Sequence, residues 1–363
     1  MGGKTPGVSE ISVPETSRLL IRALRGERTE RAPFWFMRQA GRYLAEYRAV
    51  RATAPDFVRF CLDPEKATEV TLQPIRRFGM DAAILFADIL LIPHGLGVNV
   101  AFKEGEGPVL EKIGDGAAIA RLRDQVEHAA DRLAAVYETV GRLRRELPES
   151  CALIGFAGSP WTVATYMVEG GGGHDFLAVR RLALRDPAAF ETLIGVLVDA
   201  TVEYLSRQVR AGADALQLFD TWAGILPAAE FQRWCVAPTA EIVRRLRARH
   251  PDVPVIGFAR GAGTGLVDYA TGSGIDCVGL DAGVAPGWAA ANLPSRLCLQ
   301  GNLDPLLIAL GGSAMEKAAQ DILAAWNDRA FVFNLGHGIT PDVPVENVAR
   351  LSAMVQAWRR SPA

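Results

Sequence analysis

The chain has 363 residues, with 39 Lys+Arg against 41 Asp+Glu, a formal charge of −2 and 5 cysteines. That length can bury a full core without staples. The near-neutral balance excludes the broad electropositive face of a general nucleic-acid or anionic-membrane binder, and the sparse cysteine excludes a secreted disulfide scaffold.

Residues 1–16 are rich in Gly, Pro, Ser and Thr without periodicity and read as a mobile tail. Lys4, Glu10, Glu15 and Arg18 break any signal-peptide core, and no later stretch approaches 18 uninterrupted apolar residues, so a cytoplasmic protein off the membrane is expected. From there short apolar runs alternate with amphipathic stretches, the pattern of a parallel sheet with helical crossovers. The runs predict eight strands: 33–37, 82–88, 151–157, 213–219, 253–259, 275–281, 297–301 and 330–335. Eight strands close a (β/α)8 barrel. The expected fold class is therefore α/β, a TIM barrel forming one domain over 17–360, with longer excursions after the first two strands. A doubly wound open sheet is the competing architecture, because apolar runs do not tell a closed sheet from an open one. The clearest helix starts at the N-cap Asp186 with Pro187 in its first turn. It carries Phe190, Leu193, Ile194, Leu197, Val198, Val202, Leu205 and Val209 on one stripe and stops at Gly212.

In parallel α/β folds ligands bind outside the carboxyl ends of the strands. Arg38, Asp88, Ser159, Asp220-Thr221, Arg260, Asp281, Asn302 and His337 fall at or just past the eight predicted strand ends. Each alone could cap the next helix; their recurrence marks an active face. Residues 18–51 hold nine arginines against three glutamates, a strong local positive field in a neutral protein. Were Met37-Arg-Gln-Ala-Gly-Arg-Tyr43 helical, Arg38 and Arg42 would be i,i+4 neighbours, two planar forks suited to carboxylate or phosphate. Asp88 ends the run Ala82–Ala87 in apolar surroundings, where burial raises its pKa and any nearby arginine lowers it. Such a carboxylate either caps the segment from Ile89 or accepts N–H donors from a ligand.

Other signals are negative. The glycines at 170–173 lack the Lys-Ser/Thr of a P-loop, and Gly261-Ala-Gly-Thr-Gly265 misses the dinucleotide spacing; the first reads as a flexible loop beside the site. The five cysteines, Cys61, Cys151, Cys235, Cys277 and Cys298, are never closer than 21 residues. With no Cys/His cluster, metal chemistry is not expected, and reduced, buried thiols are. His337, between Gly336 and Gly338, can approach a ligand, whereas His94, His128, His174 and His250 form no HxH or HxxxH pair.

Five motifs bring a family with them: Phe34-Trp-Phe-Met-Arg-Gln-Ala-Gly-Arg-Tyr43, Gly155-Phe-Ala-Gly-Ser-Pro-Trp-Thr162 leading to Tyr166-Met-Val-Glu-Gly-Gly171, Phe219-Asp-Thr-Trp-Ala-Gly224, Gln300-Gly-Asn-Leu-Asp-Pro305 and Asn334-Leu-Gly-His-Gly-Ile339. From about residue 18 to 358 the chain resembles the uroporphyrinogen decarboxylase family. The resemblance implies a single distorted (β/α)8 barrel, usually a homodimer, that needs no metal or organic cofactor. It also implies an activity: removal of carboxyl from the four acetate side chains of uroporphyrinogen III, giving coproporphyrinogen III on the route to haem and chlorophyll. By the same resemblance Arg38, Gln39, Ala40, Gly41 and Arg42 hold substrate carboxylates, and Asp88 accepts the pyrrole N–H groups. Arg51 and Phe57 match further pocket positions, Tyr166, Thr221 and His337 the polar lining, and Phe86, Phe156 and Phe219 the apolar walls. Asp88, Arg38, Arg42, Tyr166 and His337 are the implied catalytic set. The proton donor stays open between Arg38, a water and His337. Two departures stand out: Thr221 where the family most often has serine, and Ala45 in place of a proline. The competing functions are zinc-dependent methyl transfer on a related barrel and a non-catalytic tetrapyrrole carrier.

Overall fold

The computed structural model describes residues 18–103, 105–173 and 175–360. The tail expected over 1–16, and His174, lie outside the described residues.

Seven parallel strands form a curled sheet: β1 (Ala82–Ile84), β4 (Ala152–Gly158), β5 (Ala215–Asp220), β6 (Val255–Ala259), β7 (Cys277–Gly279), β8 (Cys298–Leu303) and β9 (Phe331–Leu335), adjacent in that order. An antiparallel hairpin, β2 (Val100–Lys103) with β3 (Gly107–Leu110), sits in the excursion after β1. Helices connect successive strands of the sheet, as the alternation predicts. The helix Pro187–Ala211 runs as expected, with the Asp186 carboxylate accepting the Ala189 N–H at 3.0 Å and its apolar stripe buried.

The predicted first strand differs. Residues 33–37 do not form an extended strand; Phe34 makes a single parallel bridge to Phe333. Its neighbours nevertheless hydrogen-bond to both edges of the sheet. Trp35 N–H donates to Phe333 O (3.3 Å), Phe333 N–H to Pro33 O (2.8 Å), and Asp81 N–H to Phe34 O (3.0 Å). β1 also ends at Ile84 rather than at 88, because the chain turns away from β4 once Leu85 N–H has bonded to Ile154 O.

Two apolar layers hold the sheet. On its inner face Ala82, Ile154, Ala215, Ile256, Cys277, Cys298 and Val332 pack with Trp35 and with Leu20, Ala23 and Leu24 of the helix Leu19–Leu24. The outer face packs on the surrounding helices. All five cysteines are free and buried, as their isolation in sequence implied. No helix among the described residues is long and apolar enough to cross a membrane.

One device repeats three times at the amino ends of the strands. Asp81, Asp214 and Asp276 each donate a main-chain N–H to the carbonyl of Phe34, Leu153 or Val255, and each carboxylate accepts the N–H of that same residue (2.9, 2.8 and 2.9 Å). Arginines hold the other carboxylate oxygen: Arg31 for Asp81, Arg18 (with Arg144 on the second oxygen) for Asp214, Arg247 for Asp276. Arg31 is bidentate on Asp81 at 2.6 and 2.7 Å. Asp81→Ala would strand the largely buried Arg31 guanidinium and the Phe34 N–H together. The expected loss is about 3–5 kcal/mol of folding stability, read from the denaturant midpoint; a shift equivalent to under about 1 kcal/mol would contradict it.

Candidate active site

The segment carrying Arg38 and Arg42 is a pinned turn rather than a helix. Gln39 replaces helical bonding with its side chain: Oε1 accepts the Phe36 N–H (3.0 Å) and Nε2 donates to Ala82 O (3.1 Å). Tyr43 donates its hydroxyl proton to Gln39 O at 2.8 Å. From the other side, Met37 N–H donates to Asn334 Oδ1 (3.0 Å) and Ile339 N–H to Met37 O (2.9 Å). Arg38 sits at φ 60, a conformation that a non-glycine residue keeps only when its surroundings impose it. The helix Ala45–Arg51 starts only after the extended Leu44. Ala45 is therefore a first helical position, which suits the proline of the family and accepts alanine equally well sterically.

This turn sorts the nine arginines of 18–51. Arg18, Arg22, Arg28 and Arg31 pair with carboxylates, and Arg25, Arg48 and Arg51 donate to backbone carbonyls. The guanidiniums of Arg38 and Arg42 have neither a hydrogen bond nor an ion pair among the described residues, and both residues are exposed. Most of the positive segment is structural; two guanidiniums are left over for an anion. Gln39, in contrast, is fully buried, with its amide engaged inside the turn.

Arg38 lies across the Gly336-His337-Gly338 turn. A Cβ at Gly338 would come within 2.4 Å of Arg38 Cδ and 2.6 Å of Cγ, so the bare glycine makes room for the side chain. His337 follows β9; burial, then the charges of Arg38 and Arg260, push its pKa down to about 4, against the pull of Asp281. The imidazole is neutral at pH 7.

Asp88 stands four residues past β1, not at its end. Its Oδ1 accepts the Leu90 N–H at 2.8 Å in a tight turn. Burial pushes its carboxyl up to about 6, against the Leu90 N–H and the Arg38 charge. Tyr166, on the helix Pro160–Glu169, lies in the fields of both: burial and Asp88 raise its hydroxyl pKa, and Arg38 lowers it. Arg38, Asp88, Tyr166 and His337 thus come together from four separate parts of the chain.

The apolar residues form two groups. Phe57 packs edge-on to Phe86 (6.1 Å) and Phe102 (4.7 Å), Phe86 packs on Phe60 (4.9 Å), and the Arg51 guanidinium lies 5.6 Å over Phe60. Phe156 meets Phe219 at 5.5 Å. The expected flexible loop at 170–173 is tied down at its start: Gly170 (φ 79) caps the helix Pro160–Glu169, its carbonyl accepts the Leu110 N–H at 2.9 Å, and Gly171 bridges Val109. A left-handed cap is what glycine supplies there.

A cavity of about 570 Å³ opens beside this cluster, lined among others by Thr221, Trp222, Arg260, Asp281, Asp304 and His337. Of the site residues expected from sequence only Thr221 and His337 line it; Arg38, Gln39, Ala40, Gly41, Arg42, Arg51, Phe57, Phe86, Asp88, Phe156, Tyr166 and Phe219 lie outside its lining. Arg260, Asp281 and Asp220 were visible in the sequence only as polar strand ends. Asp220 is fully buried behind Thr221. Its Oδ1 accepts the Thr162 hydroxyl at 2.6 Å, Thr162 Oγ1 accepts the Trp222 N–H at 3.1 Å, and the Cys235 thiol is a further hydrogen-bonding neighbour of the carboxylate. Burial pushes its carboxyl up to about 6. Among the described residues no three His, Cys, Asp or Glu side chains converge as a metal-binding group.

The arrangement, an unpaired Arg38 guanidinium whose charge acts on a buried carboxylate, a second unpaired guanidinium on the same turn and aromatic side chains beside them, suits a polyanion that also carries N–H donors. The family model described as uroporphyrinogen decarboxylase (URO-D) matches residues 15–358. A protein named uroporphyrinogen decarboxylase from Rhizorhabdus wittichii is 53% identical over 345 residues, 95% of this chain and 99% of that one. Its namesake from Sphingopyxis alaskensis is 56% identical over 337 residues, 93% and 97%. Among solved structures, a methyltransferase from Methanosarcina mazei shares the fold, with a TM-score of 0.74 at 18% identity over 94% of this chain and 98% of that one.

Proposed function

The chain belongs to the uroporphyrinogen decarboxylase family and is a carboxy-lyase, and from that premise we propose that it converts the four acetate side chains of uroporphyrinogen III to methyls. The products are coproporphyrinogen III and four CO2, formed without cofactor, by a single-domain (β/α)8 barrel over 17–360 that works as a cytoplasmic homodimer. Support for the eighth barrel strand comes from residues 33–37. Phe34 and Asp81 exchange the same bonds as Leu153 with Asp214 and Val255 with Asp276 inside the sheet.

The observation that carries the functional reading is the meeting of Asp88, in apolar surroundings, with the unpartnered Arg38. Arg38 and Arg42 would grip substrate carboxylates as planar forks. Gln39, Ala40 and Gly41 would shape the turn that presents them, with Arg51 and Phe57 farther out, Phe86, Phe156 and Phe219 as apolar walls and Thr221 as a polar contact. Asp88 would accept the pyrrole N–H groups. Protonation of a pyrrole ring carbon makes that ring an electron sink; the C–C bond to the acetate carboxyl breaks, CO2 leaves, a second proton quenches the exocyclic carbon, and the ring carbon then gives up the first proton to restore the neutral pyrrole, for a net uptake of one proton per acetate. Asp88 stabilises the transient pyrrole cation, and Tyr166 and His337 line its approach. A guanidinium is a poor proton donor, and His337 is neutral in the free protein, so a substrate-facing water is the third carrier to be separated from Arg38 and His337.

Incubation with reduced uroporphyrinogen III, followed by oxidation and chromatography, should give the tetracarboxylate through hepta-, hexa- and pentacarboxylate intermediates. Full recovery of the octacarboxylate would overturn the reading; binding without turnover would indicate the carrier, and stoichiometric zinc the methyl-transfer alternative. Asp88 must be ionised to accept N–H groups, so kcat/KM should fall below an apparent pKa of about 6, with unit slope. Asp220 titrates in the same range. The limb should therefore persist in Asp220→Asn, and its disappearance there would reassign it.

A further inference from the structure

Arg260 ends up on the cavity wall by a route no motif announces. It follows β6, and its backbone is held on three sides: Arg260 N–H donates to Asp220 O (3.1 Å), Gly224 N–H to Arg260 O (3.0 Å) and Gly261 N–H to Asp281 Oδ2 (2.7 Å). The turn is also tightly packed, since a Cβ at Gly224 would fall 2.4 Å from Gly261 O. Arg260 is exposed and lines the cavity, and its guanidinium has no hydrogen bond or ion pair among the described residues.

The two carboxylates on the same wall form no ion pair with it among the described residues. Asp281 receives the Gly261 and Gly283 N–H groups on its two oxygens (2.7 and 2.8 Å), and Asp304 Oδ1 caps the next helix through Leu306 N–H at 2.9 Å. Both acids keep their charge but are held by backbone N–H groups, and neither forms an ion pair with Arg260, which stays available on a fixed turn. Its position is complementary to Arg38. Taking the 33–37 segment with the sheet order β1-β4-β5-β6-β7-β8-β9, β6 lies four places from Arg38 by either route, as far as the sheet permits. Arg38 lies outside the cavity lining but packs against Gly338, which belongs to it, and the charges of Arg38 and Arg260 both act on His337 on the same wall.

We propose that Arg260 is a second anion pole of the site, binding a peripheral carboxylate of the tetrapyrrole on a ring remote from the one held by Arg38. The proposal rests on the uroporphyrinogen reading above. A guanidinium that grips a remote carboxylate equally in ground and transition states contributes to binding and not to the chemical step.

Arg260→Ala should therefore raise KM for uroporphyrinogen III about 10- to 100-fold, the loss of one charge-assisted contact, with kcat within about threefold. Arg260→Lys should recover part of the loss, because the charge remains while the fork is gone. Uroporphyrin, an unreactive octacarboxylate, should show the same rise in Kd when titrated against tryptophan fluorescence, with Trp222 as a reporter on the cavity wall. Circular dichroism and Tm should match the parent chain. Unchanged KM and Kd in Arg260→Ala, with the parent active, would overturn this proposal alone, as would a fall in kcat with Kd unmoved. A parent chain that neither turns over uroporphyrinogen nor binds uroporphyrin would overturn the functional reading and this proposal with it.

Discussion

Asp88→Asn is expected to lower kcat about 10²- to 10³-fold, the range observed when one preorganised electrostatic partner of a transition state is removed. The fold should survive, because asparagine keeps the shape and its Oδ1 can still accept the Leu90 N–H that forms the turn. What it loses is the negative charge, against which the protonated pyrrole is stabilised under the mechanism proposed here. Tyr166→Phe, which removes a hydroxyl in the same field, should cost less than about tenfold, the scale of one neutral hydrogen bond. Steady-state rates on uroporphyrinogen III with matched Tm values separate the two. Similar, small losses for both would remove Asp88 from the centre of the mechanism.

Gly338→Ala is the second large effect, and it touches no group with chemistry of its own. The new methyl would need the space of Arg38 Cδ, 2.4 Å away. The flexible guanidinium arm must therefore swing out, while the turn at 336–338 stays folded. A displacement of about 1 Å in a positioning group can cost roughly 10²-fold, so kcat/KM should fall about 10- to 100-fold. The decisive comparison is a double-mutant cycle. If the methyl acts only through Arg38, then Gly338→Ala combined with Arg38→Ala should be no worse than Arg38→Ala alone. Additive losses would mean that the glycine serves His337 or the substrate directly.

The contrast between what was legible in the sequence and what was not follows the range of the interactions. The strand cores and the Pro187–Ala211 helix are written in local periodicity and capping, and they lie where expected. The β2–β3 hairpin was missed because its short strands, Val100–Lys103 and Gly107–Leu110, sit within an irregular excursion and bury little. The Arg38 turn was misread as a possible helix because its alternative bonding comes from Ala82 and Asn334, residues about 40 and 300 positions away. The same distance explains the arginines. Composition shows nine of them in one segment, but only the fold shows that Asp81 and Asp214 take up Arg31 and Arg18, leaving Arg38 and Arg42 open. Arg260 carried no signal beyond its place after an apolar run, since its importance depends on Asp281 and Asp304 being occupied elsewhere.

The double anchoring of residues 33–37 also has a temporal side. Met37 is fixed by Asn334 and Ile339, so part of the frame that places Arg38 comes from a segment about 300 residues away. Contacts of such sequence separation form late and slowly. The anion grip therefore takes shape with this long-range pairing and not with the local turn alone, which ties competence for the proposed acidic substrate to the meeting of residues 33–37 with the last strand.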